Sequence, residues 1–166
     1  MSLLKKIGVA VVALILLIGV FAVRSQQNTR NQSENLFKAA FAGNAGEVKH
    51  LLDQGIPVDE VNIDSELTPL MAAADRGHAD IVELLVSHGA NIETQSKNGL
   101  TPLMLAANRD RVQVVRLLIS KGVDVRKKNV LGRTALDMAV SVQKLPSNQQ
   151  SYRFEETIRL LQQASK

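Results

Sequence analysis

Thr68-Pro69-Leu70-Met71-Ala72-Ala73-Ala74 returns further along the chain as Thr101-Pro102-Leu103-Met104-Leu105-Ala106-Ala107. It returns again, at the same interval, as Thr134-Ala135-Leu136-Asp137-Met138-Ala139-Val140. Downstream of the first two, Ile81-Val82-Glu83-Leu84-Leu85-Val86-Ser87-His88-Gly89 matches Val114-Val115-Arg116-Leu117-Leu118-Ile119-Ser120-Lys121-Gly122 at that spacing too. An earlier copy is fainter. Leu36, Ala39, Ala40, Gly43, Val48, Leu51 and Gly55 precede Leu70, Ala73, Ala74, Gly77, Val82, Leu85 and Gly89 by one position more than the interval of the later copies. A fixed period of about 33 residues marks units that cannot bury an apolar face alone and must stack.

The pattern resembles the ankyrin repeat, with its T-P-L-H-x-A-A run, its G-H pair and its V-x-x-L-L stripe closed by Gly. The resemblance covers about Glu34 to Gln163. It implies an all-α solenoid of about four helix-turn-helix repeats with projecting hairpin-like loops, at about 34–62, 63–95, 96–128 and 129–163. The residue types fit that geometry. Thr68 and Thr101 have hydroxyls that can accept orphan helix N–H groups, and Pro69 and Pro102 suit the first helical position. The Ala pairs keep the first helix thin. Leu84/Leu85 and Leu117/Leu118 give the second helix a buried stripe. Gly55, Gly89 and Gly122 fit a left-handed C-terminal cap.

Departures from the family pattern are specific. Met71, Met104 and Asp137 replace the His after T-P-L, so its hydrogen bond to the Thr hydroxyl is expected to be missing. Asp110-Arg111 replaces the Gly77-His78 pair, and Glu66 stands where later copies have Gly99 and Gly132. The last copy breaks at Lys144-Leu145-Pro146-Ser147-Asn148 and resumes at Ile158-Arg159-Leu160-Leu161, an insertion of ten residues.

Ahead of the repeats, Ile7 to Val23 is uninterrupted by any residue that is not apolar or Gly, with Lys5 and Lys6 before it and Arg24 after. At about 1.5 Å per residue the run reaches roughly 25 Å, enough to cross a hydrocarbon layer. Two readings are open: an uncleaved anchor, or a signal peptide cut after small residues such as those of Val20-Phe21-Ala22. The length favours the anchor. Residues 1–24 are therefore read as signal anchor or signal peptide, 25–33 as a polar linker and 34–166 as the repeat domain. The basic flank places the N-terminus inside, so the repeats are expected in the periplasm or an equivalent space, inner-membrane anchored or released. This layout resembles small exported ankyrin proteins of Gram-negative bacteria.

Composition narrows the function. The chain has 166 residues, no Cys, no Trp, one Tyr and a formal charge of +4. Disulfides, thiolate metal sites and cysteine nucleophiles are excluded, and base stacking has almost no aromatic residues to use. Much of the positive balance comes from Lys5, Lys6 and Arg24, in a segment without acids, so it does not point to nucleic acid. Phosphate-loop, nucleophile-elbow and zinc-protease motifs are absent. His78 takes a structural family position, His50 and His88 lie on or after second helices, and the Arg126-Lys127-Lys128 run reads as a solvated loop. No catalytic residue, cofactor, metal or small-molecule substrate is expected.

A protein partner is. The resemblance implies binding through loop tips and the concave face of the first helices. Mapped onto this chain, that surface is Asp64, Ser65, Leu67, Asp75 and Arg76, then Lys97, Asn98, Leu100, Asn108 and Arg109, then Val130, Leu131, Arg133 and Met138. Leu67, Leu100 and Leu131 are either apolar anchors for a partner or packing residues of the loops. The alternative roles are an accessory subunit assembled into a membrane complex through the N-terminal helix, and an immunity-type inhibitor of a toxin or enzyme.

Overall fold

The computed structural model describes the backbone of residues 3–143 and 154–166, with side chains from Ile18 onward. Among the described residues eight helices follow one another: α1 (Leu3–Ala42), α2 (Ala45–Asp53), α3 (Pro69–Arg76), α4 (Ala79–Ser87), α5 (Pro102–Asn108), α6 (Val112–Ser120), α7 (Ala135–Gln143) and α8 (Glu155–Ala164). Among the described residues there is no strand. The insertion in the last repeat falls outside the described residues.

The helix boundaries come from the residues identified above. Thr68 Oγ1 accepts from the Met71 amide at 3.3 Å and Thr101 Oγ1 from the Met104 amide at 3.2 Å, each just before a proline at the helix start. Gly55, Gly89 and Gly122 hold φ values of 78°, 88° and 83° after the second helices, a region costly to residues with a Cβ. The expectation for the last repeat is corrected: Asp137 does reach its threonine. The Thr134 amide and hydroxyl donate to Asp137 Oδ2 at 2.9 and 2.7 Å, and the Asp137 amide donates to Thr134 Oγ1 at 3.2 Å. That is a reciprocal capping box, in which a carboxylate accepts where the family imidazole would.

Leu70, Leu85, Leu118, Ile81, Val114 and Leu161 are fully buried in one continuous core. Each such side chain contributes about 1.5–3 kcal/mol relative to exposure. Small residues decide the curvature. Ala72, Ala73, Ala74, Ala106 and Ala107 are completely buried, so the backbones of successive first helices (α1, α3, α5, α7) approach one another more closely than those of the second helices do. The first-helix layer is therefore the inner, concave side.

The polar stretch 25–33, read above as a linker, is helical. Through it α1 runs unbroken from Leu3 into the first repeat, where Leu36, Ala39 and Ala40 enter the core. The stretch contains no Gly or Pro to stop the helix. Buried Ser33 donates to the Glu60 carboxylate and fastens α1 to the first loop. Residues 18–31 project exposed from the stack. Of the apolar run, Ile7 to Leu17 have side chains outside the described residues. Among the described residues no helix is long and apolar enough to cross a membrane.

Candidate interaction surface

Among the described residues three loops project from the stack, and each is closed by a backbone hydrogen bond across its base. The Asn62 amide donates to Leu67 O, Ser96 to Leu100 O and Asn129 to Arg133 O, all at 3.0 Å. These are the expected hairpin-like fingers. Their tips carry Asp64 and Ser65, then Lys97 and Asn98, then Val130 and Leu131, all exposed. Adjacent fingers are linked. Lys97 pairs with Glu66, Lys127 Nζ lies 2.9 Å from Glu93 Oε2, and the Val130 amide donates to Asn98 O at 3.1 Å. Glu66 holds φ at 58° beside Gly99 at 71° and Gly132 at 72°, so a charged residue keeps a turn that its successors build with glycine.

The inner helices bring the next group together at their C-terminal ends. Arg109 Nε donates to Asp75 Oδ1 at 3.1 Å, one repeat back. Arg76 also reaches back one repeat, but onto an aromatic: its guanidinium lies 4.3 Å from the centre of the Phe41 ring. Phe41 stacks on Phe37 with centroids 6.3 Å apart. The two arginines occupy one repeat position yet have different partners, because Phe41 stands where Asp75 stands in the following copy. Extending the repeat step back into the first copy would have found this aromatic pair.

The other expected residues divide by burial. Arg133 is exposed at the base of the third finger, and Asn108 is half-buried at the end of α5. Leu67 and Leu100 are half-buried, and Leu100 packs against the core. Met138 is not available to a partner: only 7% of it is exposed. It is the counterpart of buried Ala72 and Leu105, so its side chain fills the interior of the last repeat.

His78 keeps its structural place, with Nε2 3.3 Å from Phe41 O and its ring against Gly43. Arg111 does the same work one repeat later, as its Nε donates to Asp75 O at 2.9 Å and its stem covers Gly77. Among the described residues no group of His, Asp and Glu is arranged to hold a metal ion.

A family model described as ankyrin repeats (3 copies) matches residues 8–96 and 88–161. The chain belongs to the ankyrin repeat family. A 2-5A-dependent ribonuclease of Mus musculus is 35% identical over 81 residues, which are 49% of this chain and 11% of that protein. The likeness thus spans about a ninth of the ribonuclease. Ankyrin repeats form protein-protein interaction modules.

Proposed function

We propose that this ankyrin array is a non-catalytic adaptor that binds an acidic protein segment along its inner-helix stripe, and that the segment from Met1 to Arg24 tethers it to a membrane or exports it. The observation that carries the reading is the pair Arg76 and Arg109, one repeat apart at the C-terminal ends of α3 and α5 on the concave layer. Both guanidinium groups are held before any partner arrives, one on Phe41 and one on Asp75. Less side-chain entropy is then lost on binding, and a planar fork suits bidentate contact with carboxylates. Arg133 adds a cation at the base of the third finger, at the repeat position of Leu100. In the membrane reading the repeats face the periplasm or an equivalent space.

The test is a cross-linking pull-down from membranes with Arg76→Glu and Arg109→Glu together. Two exposed pairs turned from attraction to repulsion are expected to weaken binding by about 1–2 kcal/mol, roughly tenfold. The control is Lys49→Glu with Lys121→Glu, on the second-helix layer. Loss of the partner with the control pair but not with the stripe pair would place binding on the convex side.

A second reading, assembly into a membrane complex through Ile7 to Val23, is favoured by the unbroken course of α1 from that run into the first repeat. In that case changes in the apolar run, and not in the stripe, abolish association.

A further inference from the structure

The three fingers differ in charge in a graded way. Residues 57–67 contain Asp59, Glu60, Asp64 and Glu66 and no basic residue, a formal −4. The second finger has only Glu93 and Lys97. Residues 123–133 contain Asp124 against Arg126, Lys127, Lys128 and Arg133, a formal +3. Pairing between neighbours neutralises the middle, through Glu66 with Lys97 and Glu93 with Lys127. Exposed Asp64 stands at one end, and exposed Lys128 and Arg133, whose charges also act on the Asp137 carboxylate, stand at the other.

Each end also carries apolar side chains in water. Val61 and Ile63 are exposed on the first finger, Ile63 to 63%; Val130 and Leu131 are exposed on the third, Leu131 to 70%. The middle finger carries none at its tip, which is Lys97-Asn98. Apolar residues gathered at both ends of one charged row mark a contact surface.

We propose that the finger row is a self-association surface, paired antiparallel with the finger row of a second copy of this chain. A two-fold axis through the second fingers sets the acidic first finger of one copy against the basic third finger of the other, and does so twice. Ile63 then faces the Val130-Leu131 tip, and Asp64 faces Lys128. Lys97 meets its own counterpart at the axis with its charge already matched by Glu66. Continuation of the row end to end is obstructed on both sides. Ser33 bonds to Glu60, and Arg30, Ser33 and Glu34 of α1 line a groove of about 280 Å³ against Glu60 to Asp64. At the far end Arg126 Nη2 donates to Ser165 O at 2.9 Å, which seats the C-terminus beside the third finger. The exposed face of the row remains. The inference goes beyond the stripe, since Arg76 and Arg109 take no part in it and either surface can fail alone.

The chain has no cysteine, so introduced ones are unique. Full-length protein carrying Asp64→Cys is mixed with full-length protein carrying Lys128→Cys in detergent and oxidised. The expected result is a cross-linked dimer in the mixture and at least fivefold less with either variant alone, because like positions are apart in an antiparallel pair. Equal cross-linking of a single variant alone would assign association to another surface, α1 included, and overturn the proposal. So would a sedimentation experiment that finds the unsubstituted chain monomeric at low salt. Charge exchange is the second measurement. Asp64→Lys alone is expected to weaken dimerisation about tenfold, because each substitution acts at both symmetric contacts. Adding Lys128→Asp to the same chain is expected to restore it; failure to restore counts against the pairing. Arg76→Glu with Arg109→Glu is expected to leave the cross-link intact while removing the other partner.

Discussion

Arg111→Ala tests whether the array is held together where the family's histidine is missing. In the folded chain Arg111 Nε donates to Asp75 O at 2.9 Å, and that carbonyl belongs to the last turn of α3. Hydrogen bonds from charged donors contribute about 1.5–3 kcal/mol, and a cation at a helix C-terminus about 0.3–1 kcal/mol. Arg111 is half-buried, which favours the lower ends of these ranges. A loss of about 2 kcal/mol is expected in urea unfolding followed by far-ultraviolet circular dichroism. Arg111→His is expected to recover at least half of it, because His78 reaches the equivalent carbonyl, Phe41 O, one repeat earlier. A coupling experiment sharpens the logic. A Cβ added at Gly77 would lie 2.8 Å from Arg111 Cδ, at a φ of 88°. Gly77→Ala therefore carries a steric cost beside the backbone cost of about 1–2 kcal/mol, and only the steric part vanishes in Arg111→Ala chains. If Arg111→Ala lies within about 0.5 kcal/mol of the unsubstituted protein, or Arg111→His is as damaging as alanine, the carbonyl link is not what joins these repeats.

Two further outcomes are expected. The Thr134 amide, then its hydroxyl, hold the Asp137 carboxyl below its ordinary pKa, so its contribution is present above the unfolded value of about 3.9 and is lost as pH falls through the lower folded one. Asp137→Ala should cost about 0.5–1 kcal/mol at neutral pH, with the gap to the unsubstituted chain closing in acid; a gap that stays constant as the carboxylate is titrated away would show that it is not the cap. For the membrane reading, a reporter fused after Lys166 should be active only if it needs export, and intact Met1 or Ser2 in mass spectrometry would establish an anchor over a cleaved signal; activity of a cytoplasm-only reporter would reverse the topology.

The helices are legible in the sequence because the residues that start and stop them act locally. Thr68-Pro69 and Thr101-Pro102 cap and begin helices through their own hydroxyls and ring geometry, and Gly89 and Gly122 end them through φ alone. What stays hidden depends on groups that meet only after stacking. Arg111 finds Asp75 O, and Arg76 finds Phe41, across one repeat, where no local pattern records the encounter. The Asp137 box escapes notice for another reason. Comparison with the family's imidazole hides what a carboxylate three positions after a threonine does by itself. Met138 is readable: counted back by whole repeats it falls on Leu105 and Ala72, positions whose small or apolar side chains point into the stack. The polar stretch before Glu34 gives no sign of its backbone shape, because polarity describes solvation, and Gln, Asn and Arg continue a helix that is already nucleated.

Two departures from the family pattern share one physical result. Asp110 takes the left-handed turn that Gly43 and Gly77 take in earlier repeats, at a φ of 55°, and Glu66 takes the turn of Gly99 and Gly132. A residue with a Cβ in that conformation costs roughly 1–2 kcal/mol. In both cases the side chain that glycine lacks makes a contact beyond its own repeat: Asp110 Oδ1 accepts from fully buried Thr157 of α8 at 2.7 Å, and Glu66 pairs with Lys97 of the next finger. Arg111 keeps the link that His78 makes one repeat earlier, with a guanidinium in place of the imidazole. Strain inside a repeat is thereby set against bonds between repeats. In a solenoid whose stability sums intrinsic and neighbour terms, such an exchange lowers the first and raises the second, so neighbouring units unfold together rather than singly. A partner gripping several repeats at once meets a surface whose spacing is fixed before contact, and the side chains that fix it include Glu66 and Asp110, which depart from the consensus.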